Sequence, residues 1–335
     1  MKKIYSLSLF VMVAVGAFAQ SVPFTGTGLL NANGWTTHSG TAGQVVILAT
    51  ASDSGNSLSK AGLAASTGNR TGIVAGNSED LNYPLTAAIT TTGYLSTLIK
   101  VTDTSTLNLN SATGDYSLGF TSVVGASTTA FQARVYFKQG ATPNTFLIGI
   151  LNNSGGTAAP SYVATDLTVN TTYLIVVKYD LTTNTASLFI NPTPGAAEPT
   201  ATVTNVTGTT AAAAQIAGFV IRQAGSATAG TGTMEIDEFR AGTTFASVTP
   251  ANLSVKQNDI AGLSIYPNPV TNGTLNINSD ANAERNVVLF DVLGKQVLKV
   301  TTSNASINVA KLNAGVYIVK ITEEGKTATR KLVIQ

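Results

Sequence analysis

Residues 173–192 read YLIVVKYDLTTNTASLFINP, and this stretch decides the fold class. Leu174, Ile175, Val176 and Val177 form a short aliphatic run, mostly β-branched, which fits a pleated surface better than a helix. Asp180, Leu181, Thr182, Thr183 and Asn184 make a polar tip, and Leu188, Phe189 and Ile190 return before Asn191 and Pro192. Two such runs around a turn-forming tip predict a long β-hairpin. Working outward, strand-like runs recur at 44–50, 93–101, 116–124, 131–138 and 146–151 on one side, and at 215–222 and 234–240 on the other. Gly, Asn and Thr clusters separate them and none sustains a helical period. Their spacing, roughly 10–20 residues, suits an antiparallel sandwich of two sheets.

The chain has 335 residues, of which 44% are hydrophobic and 11% charged, and it has no cysteine. The apolar share is enough for a packed core, and the length suits two domains of unequal size. Charge is far below the roughly 25% of an average domain, so Thr, Ser, Asn, Ala and Gly must make the surface. The lack of cysteine excludes disulfides, a lipidated N-terminal cysteine and thiolate metal sites. The formal charge of +2 conceals a division: residues 21–250 hold 8 basic and 11 acidic side chains, and residues 251–335 hold 9 and 6. Neither part has a basic run interleaved with aromatic residues, so no nucleic-acid partner is expected.

The two ends have textures of their own. Lys2 and Lys3 precede an apolar run over 7–18, and the small residues Ala17 and Ala19 flank Phe18. These three parts predict a Sec signal peptide over 1–19, cut between Ala19 and Gln20. The run is shorter than the roughly 20 residues needed to cross a bilayer, so no transmembrane segment is expected in the mature chain. A passenger over 20–246 and a polar linker over 247–262 follow. Beyond them, Leu263 and Ile265 alternate toward Pro267 and Pro269, which cannot donate to a ladder. Further runs at 275–277, 286–290, 296–300, 307–309, 316–321 and 328–334 are joined by turns at 291–295 and 323–326. About seven short strands in roughly 75 residues predict a small Ig-like sandwich over 263–335.

Four blocks of this last region stand in order: Tyr266-Pro267-Asn268-Pro269, then VLFDVLGKQV (288–297), LNAGVYIVK (312–320) and KLVI (331–334). Together with the leader they resemble the type A C-terminal sorting domain of the type IX secretion system of Bacteroidetes. The resemblance implies folding in the periplasm, recognition by the outer-membrane translocon and transfer by a shuttle barrel to a sortase. That sortase would cut ahead of the domain, within 247–262, leaving the passenger at the cell surface or in the extracellular space. Recognition would fall to Tyr266, Pro267, Asn268, Pro269, Asp291, Gly294, Lys295, Gly315, Tyr317, Lys320, Lys331, Leu332, Val333, Ile334 and Gln335. The plainer reading gives these glycines turn geometry and the aliphatic residues a core, and the two readings are compatible. The passenger is similar to concanavalin-like, laminin-G-type jelly rolls of secreted bacterial proteins, on the hairpin quoted above and on MEIDEFRAGTTFASV (234–248).

Jelly-roll glycosidases of the laminarinase type carry three carboxylates at alternate positions of one strand. Here the alternate positions read Glu235, Asp237 and Phe239, with Glu238 expected on the opposite face. A retaining mechanism needs two carboxyls about 5 Å apart across the bond. The set is incomplete, so no catalysis is expected, and Asp237 is expected to satisfy a neighbouring loop. His38, the sole histidine, stands near Trp35, the sole tryptophan, in an apparent Gly-rich loop. One histidine makes neither a triad nor a His-based metal site. Asp53 and Asn56 in one loop, and Glu79 and Asp80 in another, are hard oxygen donors of the kind that hold calcium. Neither loop matches a defined calcium motif, so turn chemistry is the preferred reading, and no other cofactor is expected. The expected function is a surface-displayed or released non-catalytic module that binds polysaccharide or another surface polymer. An adhesive surface protein contacting other proteins, and a divergent glycoside hydrolase using Glu235, are the alternatives. Deleting residues 331–335 is expected to hold the chain in the periplasm. Surface display unchanged by that deletion, scored by protease accessibility on intact cells, would overturn the sorting assignment.

Overall fold

The computed structural model describes residues 18–48, 56–107, 113–223, 230–252 and 260–335. The chain divides into two compact units, residues 1–253 and 254–335. Among the described residues the only helical elements are α1 (Phe245–Val248) and a 3-10 turn over Leu30–Ala32.

The first sheet of the first unit runs β15 (Val203–Asn205), β14 (Thr185–Ile190), β13 (Tyr173–Asp180), β7 (Thr92–Asp103), β17 (Thr233–Gly242), β5 (Arg70–Ile73), β4 (Val46–Leu48) and β2 (Gly28–Leu29). A further strand, β1 (Ala19–Val22), also pairs with β17. The second sheet runs β11 (Ser161–Tyr162), β10 (Thr145–Leu151), β9 (Phe131–Gln139), β8 (Asp115–Thr121), β16 (Ile216–Ile221), β6 (Asp80–Ile89) and β3 (Thr36–Ser39), with β12 (Leu167–Thr168) also on β10. The ladders are antiparallel, and the chain crosses repeatedly from one sheet to the other, which is jelly-roll winding.

The quoted hairpin is β13 and β14, in register from Ile175 opposite Ile190 to Asp180 opposite Thr185. Asp180 Oδ1 accepts the N–H groups of Thr182 and Thr183 at 2.8 and 2.9 Å, and Asn184 takes φ 52°, so the polar tip closes itself. Ile175, Val177 and Leu188 face the second sheet, packing with Phe120, Val135, Phe137, Ile148 and Phe219. Leu174, Val176 and Phe189 face the other way, into a second cluster with Leu58, Leu63, Phe245 and Val248. A strand buried on both faces reads as a continuous apolar run, which is why 174–177 shows no alternation.

Two expectations need correction. The linker over 247–262 is folded wherever it is described. Val248 O accepts from Ser96 Oγ, Thr249 O from Gly195 N and Pro250 O from Ala64 N, and Ala251 bridges to Leu63. The passenger therefore continues past 246. Ile260 is buried in the core of the second unit, and residues 253–259 lie outside the described residues. The loop expected to hold Glu79 and Asp80 also ends early, because Asp80 already begins β6 (Asp80–Ile89). Pro84 masked that strand in the sequence. It is tolerated beside Gly218, where the ladder with β16 changes register.

The second unit has seven strands, as expected. One sheet is β18 (Ser264–Tyr266), β19 (Thr274–Asn278) and β22 (Ser306–Asn308); the other is β21 (Gln296–Thr302), β20 (Arg285–Phe290), β23 (Gly315–Glu323) and β24 (Lys326–Ile334). Leu275, Ile277 and Ile307 from the first meet Val287, Leu289, Val319, Ile321 and Leu332 from the second. The turn expected over 323–326 is shorter: Glu323 closes β23, and Glu324 and Gly325, both at positive φ, make the two-residue tip. Glu323 is buried against Arg285 at 3.2 Å and also accepts from Ser279 Oγ and Ala283 N, while Arg285 Nη1 donates to Ile277 O. Arg285 thus ties β20 to the opposite sheet. Removing one partner of a buried pair strands the other charge, which costs about 3–5 kcal/mol. Glu323→Gln is expected to lower the unfolding free energy of this unit by about that amount in a urea titration, and a loss below about 1 kcal/mol would refute the role.

Candidate functional site

The three alternate residues of β17 do not share a face. The ladder with β7 changes register between Asp237 and Arg240, and Glu238 sits at φ 54° in the resulting bulge. Met234, Ile236, Phe239 and Ala241 consequently all enter the inter-sheet core. Phe239 is a core ring, 4.9 Å from Phe219, and does not continue the Glu235–Asp237 face. Nor does Glu238 point away from Asp237's partners. Asp237 Oδ2 accepts Leu58 N at 2.7 Å, and Glu238 accepts Thr67 N and pairs with Arg240 at 2.6 Å. Both carboxylates clamp the segment 57–67 onto the sheet. Glu235 is held by Arg70 at 3.1 Å and Lys100 at 2.5 Å. The face that would form a hydrolytic cleft is covered, and its acids are engaged in structural contacts.

The oxygen-rich loops are engaged too. Glu79 is fully buried: Oε1 accepts from Thr37 Oγ1 at 2.6 Å and Asn31 Nδ2 at 3.3 Å, and Oε2 accepts the N–H groups of Gln44 and Val45 at 2.6 and 2.8 Å. Asp80 accepts from Ser39 Oγ and Gln223 N. Asn56 donates to Leu48 O, and its own oxygens accept from Arg70. Asp53 lies outside the described residues. Each described oxygen of these loops already holds a protein N–H or O–H. Trp35 is a core residue, between 5.2 and 6.0 Å from Phe24, Tyr83, Phe219 and Phe239. His38 belongs to β3 rather than to a loop, with its ring 5.5 Å from Phe131 and Nδ1 against Asn82 Nδ2. Burial outweighs the nearby Asp80 charge and holds this imidazole below its ordinary value.

On the outer face of the second sheet aromatic side chains converge, with Tyr136 buried, Tyr116 and Tyr162 half-buried, and Tyr162 Oη donating to Thr113 O. Tyr116 stands opposite Tyr136, Tyr136 opposite Gly149, and Gly149 opposite Tyr162, so one row crosses β8, β9, β10 and β11. Gly149 is required there: a Cβ would meet the Tyr162 ring at 2.9 Å. The Tyr116 ring lies 5.7 Å from Tyr136 and 6.2 Å from Phe131. Arg222 lies over Tyr116 at 4.4 Å and pairs with Asp115 at 2.6 Å. Burial pushes the Tyr116, Tyr136 and Tyr162 phenols above their ordinary value, which keeps them neutral. A cavity of about 390 Å³ adjoins the row, with Phe131, Gln132, Arg134, Asn153 and Ser154 among its walls. None of this face was expected. Its signal was the alternation in ARVYFK (133–138), where Val135 and Phe137 face the core and Arg134, Tyr136 and Lys138 face out.

In the second unit the separated sequence blocks meet. Asn268 Nδ2 donates to Lys331 O, and its Oδ1 accepts Val333 N, both at 2.9 Å. Val270 bridges to Ile334, and Gln335 N donates to Val270 O. Asp291 Oδ1 accepts the N–H groups of Leu293 and Lys295 around Gly294, at φ 80°. Residues 264–335 match the family described as the secretion system C-terminal sorting domain. The C-terminal unit is a type IX sorting domain. A chain that carries it is cargo for export to the cell surface or the extracellular space.

Within the sorting domain the expected recognition residues separate into two groups. Tyr317, Leu332 and Ile334 are core, Gly315 pairs with Ile334, and Tyr317 Oη donates to Asn313 O. Lys295, Lys320, Lys331 and Gln335 are exposed, as is Tyr266, whose hydroxyl accepts from Asn278. Val292 and Leu293, 72% and 90% exposed beside Gly294, were not singled out in the sequence. At the other end, Ala19 pairs with Gly242 and Gln20 with Ala241, and the Gln20 amide reaches Pro84 O and Thr86 N on β6.

No curated protein matches the sequence. Similar solved structures include a sialidase (9% identity, TM-score 0.37, covering 69% of this chain and 19% of that one). Others are the Emp47p carbohydrate recognition domain (11%, 0.37, 67% and 95%) and peanut lectin with a nine-residue peptide (13%, 0.33, 56% and 95%). The chain spans only about a fifth of the sialidase. At these scores none of them bears on function, and the fold rests on the strand register above.

Asp237 makes a pH test available. Burial pushes its carboxyl up, the Leu58 N–H draws it back and the Glu238 charge pushes it up again, to about 7 from an ordinary 3.8. The folded state therefore keeps a proton that the unfolded chain has lost. Stability from this group is full below about 3.8, declines as pH rises toward 7 by on the order of 4 kcal/mol, and is level beyond. Asp237→Asn, neutral throughout, is expected to flatten that decline in urea titrations across the same range. Parallel profiles for the two proteins would refute it.

Proposed function

We propose that the chain is exported cargo whose passenger is a non-catalytic, metal-independent module that binds polysaccharide on the tyrosine face of the second sheet. The observation that carries this reading is the pair of half-buried rings Tyr116 and Tyr162, one on either side of the buried Tyr136. Tyrosine offers an apolar ring to the C–H face of a sugar and a polar edge to its hydroxyls, and a few placed polar groups then fix orientation. The half-exposed Arg222–Asp115 pair supplies such groups at one end of the row, and the adjoining cavity supplies concavity. The acids of β17 are unsuited to hydrolysis, since Glu235 is ion-paired and Asp237 is covered by Leu58.

The route begins with a Sec leader cut before Gln20 and ends at the translocon, shuttle barrel and sortase of the type IX system. A sortase cut that leaves the passenger intact falls after Asn252, because residues 248–252 are hydrogen-bonded into it. Tyr116→Ala is expected to weaken retention on an array of bacterial and plant polysaccharides by about tenfold, the equivalent of 1.4 kcal/mol, with the thermal midpoint retained and EDTA without effect. Undiminished retention would refute the site. Turnover of a polysaccharide that Glu235→Gln abolishes would establish a hydrolase instead.

A further inference from the structure

The tyrosine row is flanked on its own central strand by two cations that make no ion pair among the described residues. Of the eight basic residues in 21–250, five stand in ion pairs: Arg70 and Lys100 with Glu235, Lys178 with Glu198, Arg222 with Asp115, and Arg240 with Glu238. Two of the other three are Arg134 and Lys138, which make no ion pair among the described residues. Both stack on the row instead. The Arg134 guanidinium carbon lies 5.4 Å from the Tyr116 ring centre and 5.9 Å from that of Tyr136, and Lys138 Nζ lies 4.1 Å from Tyr162. Arg134 also lines the adjoining cavity with Gln132, and neither Arg134 Nε nor Gln132 Oε1 has a hydrogen-bond partner among the described residues. Residues 21–250 carry more acids than bases, so this is a local positive face on a negative module.

We infer that the face takes a uronic-acid polysaccharide, with its carboxylates on Arg134 and Lys138, which the tyrosine rings hold in place from below. This rests on the polysaccharide reading above and narrows it. The planar guanidinium fork matches a carboxylate bidentately, whereas the lysine acts as a point charge. Four residues along a strand separate the two Cα atoms by roughly 13 Å, so the cations meet different carboxylates of one chain. Two half-exposed cations on one strand also draw in a polyanion from a distance, an effect that salt weakens.

The test titrates the full-length protein with polygalacturonate and with its carboxyl-reduced, neutral counterpart. Polygalacturonate is expected to bind at least about tenfold more tightly at low salt, and Arg134→Gln/Lys138→Gln is expected to bring it down to the level of the neutral polymer. Lys138→Gln alone, at a half-exposed position, should remove several-fold and guards against misfolding of the double variant. Equal affinity for the two polymers, both weakened by Tyr116→Ala, would overturn the uronate assignment while leaving the polysaccharide site standing. Stronger binding to a sulfated polymer than to polygalacturonate would overturn it as well. No binding to either polymer, or to any neutral glycan, would overturn both.

Discussion

Leu174, Val176 and Phe189 on one side of the first sheet, and Ile175, Val177 and Leu188 on the other, are all buried, so this sheet has no solvent side over its central strands. The outer cover consists of the segment carrying Leu58 and Leu63 and the segment carrying Phe245 and Val248. Neither belongs to the sheet. Each needs polar anchors to stay on it, and Asp237, Glu238 and Ser96 supply them through Leu58 N, Thr67 N and Val248 O. The bulge at Glu238 lets two neighbouring acids reach the same cover while Phe239 returns to the core.

That cover determines where chemistry can take place. A jelly roll has two outer faces, and here one is closed by its own chain. The second sheet is left to present side chains to solvent, and it does so with rings and cations rather than with paired carboxylates. The same division explains why β13 reads as a solid apolar run while β9 alternates: the outer face of β13 meets an apolar cover, whereas that of β9 carries Gln132, Arg134, Tyr136 and Lys138. The solid run of one strand and the alternation of the other are therefore two results of one asymmetry between the outer faces of the sheets.

Most of the strand framework was legible because burial imposes a period, and what was illegible follows from local exceptions to that period. Pro84 concealed β6, since a proline argues against a ladder and only the irregularity opposite Gly218 admits it. Glycines concealed β5, where Thr71 and Ile73 are core-forming but Gly72 reads as loop. Glu238 concealed the bulge, because nothing in a glutamate announces a positive φ. The polar stretch after 246 suggested a linker, yet Thr249 and Pro250 contribute through their carbonyl groups, which composition cannot show. The tyrosine row was missed for a related reason. Tyr116, Tyr136 and Tyr162 lie on separate strands, and only the register makes them neighbours.

The sorting domain shows how a motif can be legible without its parts having equal roles. Its first and last blocks stand together in the sequence pattern because Asn268 laces one to the other, and a change in either exposes unpaired backbone groups of the other. Leu332 and Ile334 are core, so loss of the C-terminus removes packing and surface together. The side chains that remain available to a partner are those the fold does not use. Leu293 and Val292 are the clearest case: two large apolar residues on an exposed turn whose geometry needs only Asp291 and Gly294. Stability gives no reason for apolar residues there, since exposed aliphatic side chains gain nothing from burial that does not occur.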